Sequence, residues 1–174
     1  MQTDLNISNA MAWIIRTEGG YSNDLVDRGG ETNFGISRKS YPDIDIRGLT
    51  VEEAQEIYRV DYWDANRCGE LPGPVGLAFF DALVNHQPRT ATRILQRAVG
   101  ATQDGIVGPQ TIRMANYANP LQVVRAMALS RLDLYDGLVR VDPTQGRFIA
   151  GWRGRVLDLL NFLHTHYPLE QRYA

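Results

Sequence analysis

The chain has 174 residues, 44% of them apolar, with a formal net charge of −2 and a pI near 5.9. That length buries one well-cored domain with a small lobe, and the near-neutral balance supplies no field that would draw it to polyanions such as nucleic acid. Cys68 is the only cysteine, which excludes an internal disulfide and any Cys-based zinc site.

The opening stretch, "MQTDLNISNAMAWIIRTEGG", has no basic leader, and its apolar run from Ala10 to Ile15 is too short for a signal core. No run is long enough to span a bilayer. The expectation is synthesis in the cytoplasm without membrane insertion. Within this stretch Ile7, Met11, Ile14 and Ile15 recur at helical spacing, which predicts an amphipathic helix. Glu18 occupies the next position on that face, and Gly19-Gly20 stop the helix.

"TEGGYSNDLVDRGGETNFGIS" comes next, from Thr17 to Ser37, rich in glycine, acids and amides. Such a segment favours turns over packing, and loops of this kind on a rigid scaffold are where chemistry often sits. A small β-hairpin is expected at "ETNFGIS", within a turn region covering residues 21–48. Thr50 and Glu53 then form a capping box at the start of a second helix, with Ala54, Ile57, Tyr58 and Tyr62 as its buried side. "ELPGPVG" breaks the chain. "LAFFDALVNHQ" reads as a very apolar central helix bounded by Pro74 and Pro88.

Beyond Pro88 the pattern is a helix, a tight loop "ATQDGIVG", and a helix with Pro109 in its first turn. Asn119-Pro120 opens a longer helix with Leu121, Val124, Ala128, Leu132, Tyr135 and Val139 on one face. The last helix carries Phe148, Trp152, Val156, Leu159 and Phe162 at helical spacing. The fold class is therefore mainly α, of the α+β lysozyme-like kind, with a lobe at 1–87 and a helical lobe at 88–174 packed as one unit.

Candidate chemistry gathers in the first lobe. A carboxyl that ends an apolar stripe, as Glu18 does, is partly withdrawn from water, and this favours the protonated form that a general acid needs. Asp27 lies in a glycine-flanked loop that suits an ionised carboxylate, and the Thr32 hydroxyl can hold a water. Two carboxyls in unlike surroundings are what glycoside hydrolysis requires. The alternative is that the acids are turn formers and Thr32 an ordinary strand residue. A Glu at a helix C-terminus opposes the helix dipole, so helix stability does not account for it.

These residues carry a resemblance. Glu18, Asp27 and Thr32 reproduce the Glu-x8-Asp-x5-Thr spacing of phage endolysin muramidases of the T-even lysozyme type. The run Glu18-Gly19-Gly20-Tyr21, Asn23-Asp24, Asp27, Gly29-Gly30, Thr32-Asn33 and Gly35-Ile36 is similar to the signature of glycoside hydrolase family 108, the phage and bacterial N-acetylmuramidases. Leu25 departs from it, where the family often has Pro. "LQRAVGATQDGIVGPQTI" resembles the peptidoglycan-binding segment attached to such enzymes, through Asp104, Gly105, Gly108, Pro109 and Thr111, and places that segment at 88–118.

The resemblance implies cleavage of the β-1,4 bond between N-acetylmuramic acid and N-acetylglucosamine in bacterial peptidoglycan. Glu18 is then the catalytic acid, and Asp27 with Thr32 prepares the attacking water, with Asp24 and Glu31 as neighbouring competitors. Tyr21 and Asn33 are candidate substrate contacts, a ring for a sugar face and an amide for an N-acetyl group. Asp81 and Asn85, one turn apart on the central helix, are further substrate candidates facing the cleft, or else bond across the lobes. No metal or cofactor is implied, and the expected partner is peptidoglycan, met as a monomer. The protein would reach the periplasm or cell wall through a holin or a secretion machine. Two other readings stay open: a lytic transglycosylase using Glu18 alone, and a non-catalytic wall-binding or secretion-assisting module.

Overall fold

The computed structural model describes residues 2–23 and 30–167, with side chains from residue 6 onward. These residues form seven α-helices and one two-stranded hairpin, and fall into two compact units, 1–66 and 67–174. No described helix is long and apolar enough to cross a membrane.

The first unit begins with α1 (Gln2–Glu18), whose Ala10, Met11, Trp13 and Ile14 are buried while Ile7 and Ile15 are half-buried. The apolar stripe of the sequence thus faces inward, and α1 packs on α2 (Val51–Tyr58). Between them lie β1 (Thr32–Asn33) and β2 (Ile36–Ser37), antiparallel with Thr32 opposite Ser37 and Asn33 opposite Ile36. Ser22 extends this ladder: it exchanges two backbone hydrogen bonds of 2.8 Å with Thr32.

The capping box is present, with Thr50 Oγ1 accepting from the Glu53 amide at 3.2 Å and the Glu53 carboxylate accepting from the Thr50 amide at 2.9 Å. Past Tyr58 the helix widens into a π-helical turn, Arg59–Asp64. The Ala65 amide reaches back five residues to the Val60 carbonyl at 3.2 Å. The widening changes which ring is inside. A regular helix repeats its buried face four residues after Tyr58, at Tyr62, whereas the π turn brings Trp63 into the core, 3% exposed, and leaves Tyr62 half-buried. Turns of this kind occur often at functional sites.

The second unit is built around α3 (Gly73–Asn85), buried continuously from Pro74 to Leu83. It packs on α4 (Pro88–Val99) and α6 (Pro120–Val141). In turn, α4 packs on α5 (Pro109–Tyr117), and α6 on α7 (Ile149–His166). A helix apolar on all sides needs neighbours on all sides, so α3 folds with the helices that come after it in the chain. The compact units accordingly divide between Asn66 and Arg67, ahead of α3.

The buried face of α6 also differs from the apolar stripe. Val123, Val124, Met127, Ala128, Arg131 and Tyr135 are inside, while Leu121 is 50% exposed. Arg131 explains the rotation. It is 1% exposed and donates from Nη1 to Asp81 Oδ2 at 2.7 Å. Arg155 Nε donates to the other oxygen of Asp81 at 3.0 Å. A carboxylate shared between two guanidiniums inside a helical core holds α3, α6 and α7 in one register, because removing either partner leaves a charge where water cannot reach it.

His86 adjoins this cluster, its ring 5.6 Å from that of Tyr135. Burial, reinforced by the positive charge of Arg131, pushes its pKa down to about 4.

Arg131→Ala should destabilise the protein by about 3 kcal/mol or more, seen as a lower urea midpoint at pH 7. The His86 pKa lies below the unfolded value near 6.5, so its contribution to stability is complete above pH 6.5. It should be lost as pH falls from there toward 4, because the unfolded chain binds the extra proton. Melting curves across that range should flatten in His86→Phe.

Candidate active site

Glu18 is the last residue of α1, and Gly19 leaves the helix at φ +76, the left-handed turn that ends helices and that glycine adopts without strain. The hairpin turn lies directly against the Glu18 side chain. Phe34 (φ 50) and Gly35 (φ 77) both have positive φ, the form that a two-residue turn takes to match the twist of its strands. A Cβ at Gly35 would stand 2.6 Å from Glu18 Oε2, 2.7 Å from the Tyr58 hydroxyl and 2.9 Å from Glu18 Cβ. Only a residue without a side chain fits there.

The turn is itself tied down, since the Tyr58 hydroxyl donates to the Phe34 carbonyl at 2.9 Å. Tyr58 is 2% exposed, and its ring lies 5.4 Å from that of Tyr62. Burial pushes the Tyr62 phenol up. The neighbouring Tyr41 hydroxyl opposes this, and the negative charges of Asp61 and Glu18 add to it. Tyr41 donates to Asp61 Oδ2 at 2.7 Å, and burial followed by that bond keeps its phenol protonated. Glu18 therefore stands beside phenols that are hydrogen-bond donors across the neutral range.

The other expected residues divide. Thr32 sits on β1 opposite Ser37, with its backbone amide and carbonyl both bonded to Ser22, on the hairpin whose turn meets Glu18. Its hydroxyl has no hydrogen-bond partner among the described residues. Tyr21 is 42% exposed; its hydroxyl donates to Glu31 Oε1 at 3.0 Å, and the Arg47 guanidinium lies 5.7 Å from its ring centre. Glu31, a competitor for the catalytic role, is paired with Arg38 at 2.7 Å, and hydrogen bonding from that arginine holds its carboxyl below the ordinary range. A carboxylate kept ionised by an arginine is poorly suited to donate a proton. Asp27 and Asp24 lie outside the described residues.

Of three further expected substrate contacts, Asn33 and Asp81 are buried, while Asn85 is exposed at the end of α3. Asn33 is 5% exposed and spends its amide on the Ile46 and Leu49 carbonyls, at 3.1 and 3.3 Å, tethering the hairpin to the loop beyond it. Asp81 is fully buried between its two arginines in the second unit. Asn85 turns its amide back to the Asp81 carbonyl at 2.9 Å, closing its own helix. Buried polar groups are satisfied within the protein, and a polar residue in an apolar helix looks the same in sequence whether its partner is a ligand or an arginine fifty positions away.

Sequence reasoning passed over Tyr41, Tyr58, Tyr62 and Gly35 as site residues. The signal lay in "YRVDYWD", where Tyr58 and Tyr62 stand four apart with an acid between them.

In the second unit the "QDGIVGP" loop closes on a buried glutamine. Gln96, 1% exposed, donates to Asp104 Oδ1 at 2.7 Å and to the Ile106 carbonyl at 3.0 Å, and accepts from the Gly105 amide at 2.9 Å. Asp104 Oδ1 also takes the Ile106 amide. The motif residues are thus used inside the loop.

Glu18 thus stands at a helix end, against a glycine turn and beside tyrosines, and the family comparisons place this fold. Residues 11–86 match the family described as glycosyl hydrolase 108, and residues 90–157 match the one described as a predicted peptidoglycan domain. The chain carries a glycosyl hydrolase 108 domain followed by a predicted peptidoglycan-binding domain. Among solved structures it is similar to SagA of Brucella abortus, with a TM-score of 0.79 and 27% identity over 96% of this chain and 97% of that one. No curated protein matches it.

Two glycines separate backbone strain from contact with Glu18. Gly30 also has a positive φ, of 67, but no atom of the described residues lies within 4 Å of its added Cβ. Gly30→Ala should cost about 1 kcal/mol, the backbone term alone. Gly35→Ala should cost more, because the new methyl must displace Glu18 or Tyr58; urea melts of the two variants measure the difference.

Proposed function

We propose that this glycosyl hydrolase is an N-acetylmuramidase, cutting the β-1,4 bond between N-acetylmuramic acid and N-acetylglucosamine in peptidoglycan with Glu18 as general acid. The observation that carries the reading is the seat of Glu18: a helix end stopped by glycine, closed by the Gly35 turn and bordered by neutral phenols. An acid so placed donates its proton to the glycosidic oxygen as the bond breaks through an oxocarbenium-like state.

Thr32, on the same hairpin with an uncommitted hydroxyl, positions the attacking water together with Asp27, which deprotonates it. Tyr21, 42% exposed, offers its ring to a sugar. A predicted peptidoglycan-binding domain following the hydrolase domain in the chain supports the polymer as substrate. The place of action is the wall, reached through a holin or a secretion machine in phage lysis or in a secretion-linked setting.

Glu18→Gln should lower the clearing of purified peptidoglycan by about 10²- to 10⁴-fold, with an unchanged melting temperature. Mass spectrometry of the products should show reducing N-acetylmuramic acid ends. A 1,6-anhydro product would assign a lytic transglycosylase instead, and full activity in the variant would remove Glu18 from the mechanism.

A further inference from the structure

The second unit contains a groove between α4 and α6 whose volume is about 590 Å³, within the range of small-ligand sites. Its walls carry opposite charges. Arg93 and Arg97, one turn apart on α4, line one side, and Asp133 on α6 also lines it. None of the three makes an ion pair or side-chain hydrogen bond with another described residue. The third arginine of this series, Arg89, is committed: it packs over Gly105 and its charge helps hold the Asp104 carboxyl low. Arg93 and Arg97 have no such duty.

The floor is apolar, made by Ile94, Leu134 and Leu138. It is opened by Gly137, around whose missing side chain no atom lies within 4 Å. A glycine inside a helix, here one turn before the end of the 22-residue α6, costs up to about 1 kcal/mol relative to alanine, and it keeps the groove from being filled. No aromatic side chain lines the groove. The faces on which sugars stack are therefore missing, while guanidiniums for carboxylates, a carboxylate for an ammonium and a floor for methyl groups are all present.

We propose that this groove binds the peptide stem of peptidoglycan, a short peptide with free carboxylates, a free amine and alanine methyls, and not the glycan strand. This rests on the reading of the polymer as substrate and names the part of it that the second unit holds. Hydrolysis at Glu18 acts on the sugar chain, so a separate grip on the peptide would confine the enzyme to strands that carry stems.

The test uses the full chain in a Glu18→Gln background, so that the wall is not consumed. Binding is measured to a synthetic L-Ala-γ-D-Glu-meso-diaminopimelate-D-Ala tetrapeptide by calorimetry, and to intact sacculi and peptide-stripped glycan by pull-down. The tetrapeptide should bind, and Arg93→Gln/Arg97→Gln should weaken it at least about tenfold, as loss of charge-assisted hydrogen bonds does. Gly137→Leu should block the groove while raising the helix propensity of α6, so its loss of binding cannot be put down to unfolding; melting curves of both variants check this. Tetrapeptide binding that is absent, or that both variants retain, overturns the proposal. Weaker retention of peptide-stripped glycan by the same variants makes the groove a sugar site, which also overturns it but leaves the muramidase reading intact. Failure to bind sacculi in any form removes the proposal together with the peptidoglycan reading beneath it.

Discussion

The first unit depends on one close approach, that of the Phe34–Gly35 turn to the Glu18 side chain. A carboxyl at the end of a helix would ordinarily swing through water. Here the backbone of a two-residue turn lies against it, and the Tyr58 hydroxyl pins that backbone through the Phe34 carbonyl. Rigid support of this sort is what the proposed role of Glu18 requires, because geometry set before the substrate arrives need not be assembled during the reaction. Asn33 extends the support by hanging the loop at 46–49 from the hairpin, and Ser22 extends it by joining Thr32. Residues expected as candidate ligand contacts thus include one whose work is to hold the site still.

The second unit is organised by polar groups in an apolar interior. Asp81 between Arg131 and Arg155 joins three helices, and Gln96 closes the loop between α4 and α5 on itself. Such networks define one packing among several that an apolar core would allow, although whether an ion pair adds net stability depends on its desolvation. Their consequence for recognition is that the "DGIVGP" residues are already spent. The surface of the unit offers unspent charge instead on α4 and α6.

Several features were legible in the sequence because they depend on neighbours in the chain. The stripe Met11, Ile14 and Glu18, the Gly19 stop, the Thr50–Glu53 box and the hairpin at "ETNFGIS" all arise from local spacing and turn chemistry. So was the glycosyl hydrolase 108 character, through the Glu18-to-Ile36 run. The roles of Asn33 and Asp81 were not legible: their partners, at Ile46 and Leu49 and at Arg131 and Arg155, are joined only by folding. The π turn at Arg59–Asp64 was hidden for a related reason, since helical periodicity assigns Tyr62 to the core and only packing chose Trp63.

Residue order alone set the mainly helical class, the capping and stopping points, and the identity of Glu18 as the carboxyl at the end of an apolar face. Those are properties of residue type and near spacing, which act over a few positions along the chain. Packing in three dimensions then chose which polar residues are spent inside and which stay uncommitted at the surface. It buried Asp81, committed Asn33 and Glu31, brought Tyr58 and the Gly35 turn to Glu18, and left Arg93, Arg97 and Asp133 around an open groove. A polar side chain must find a partner when water is removed, and which partner it finds depends on distances in space that no local pattern encodes.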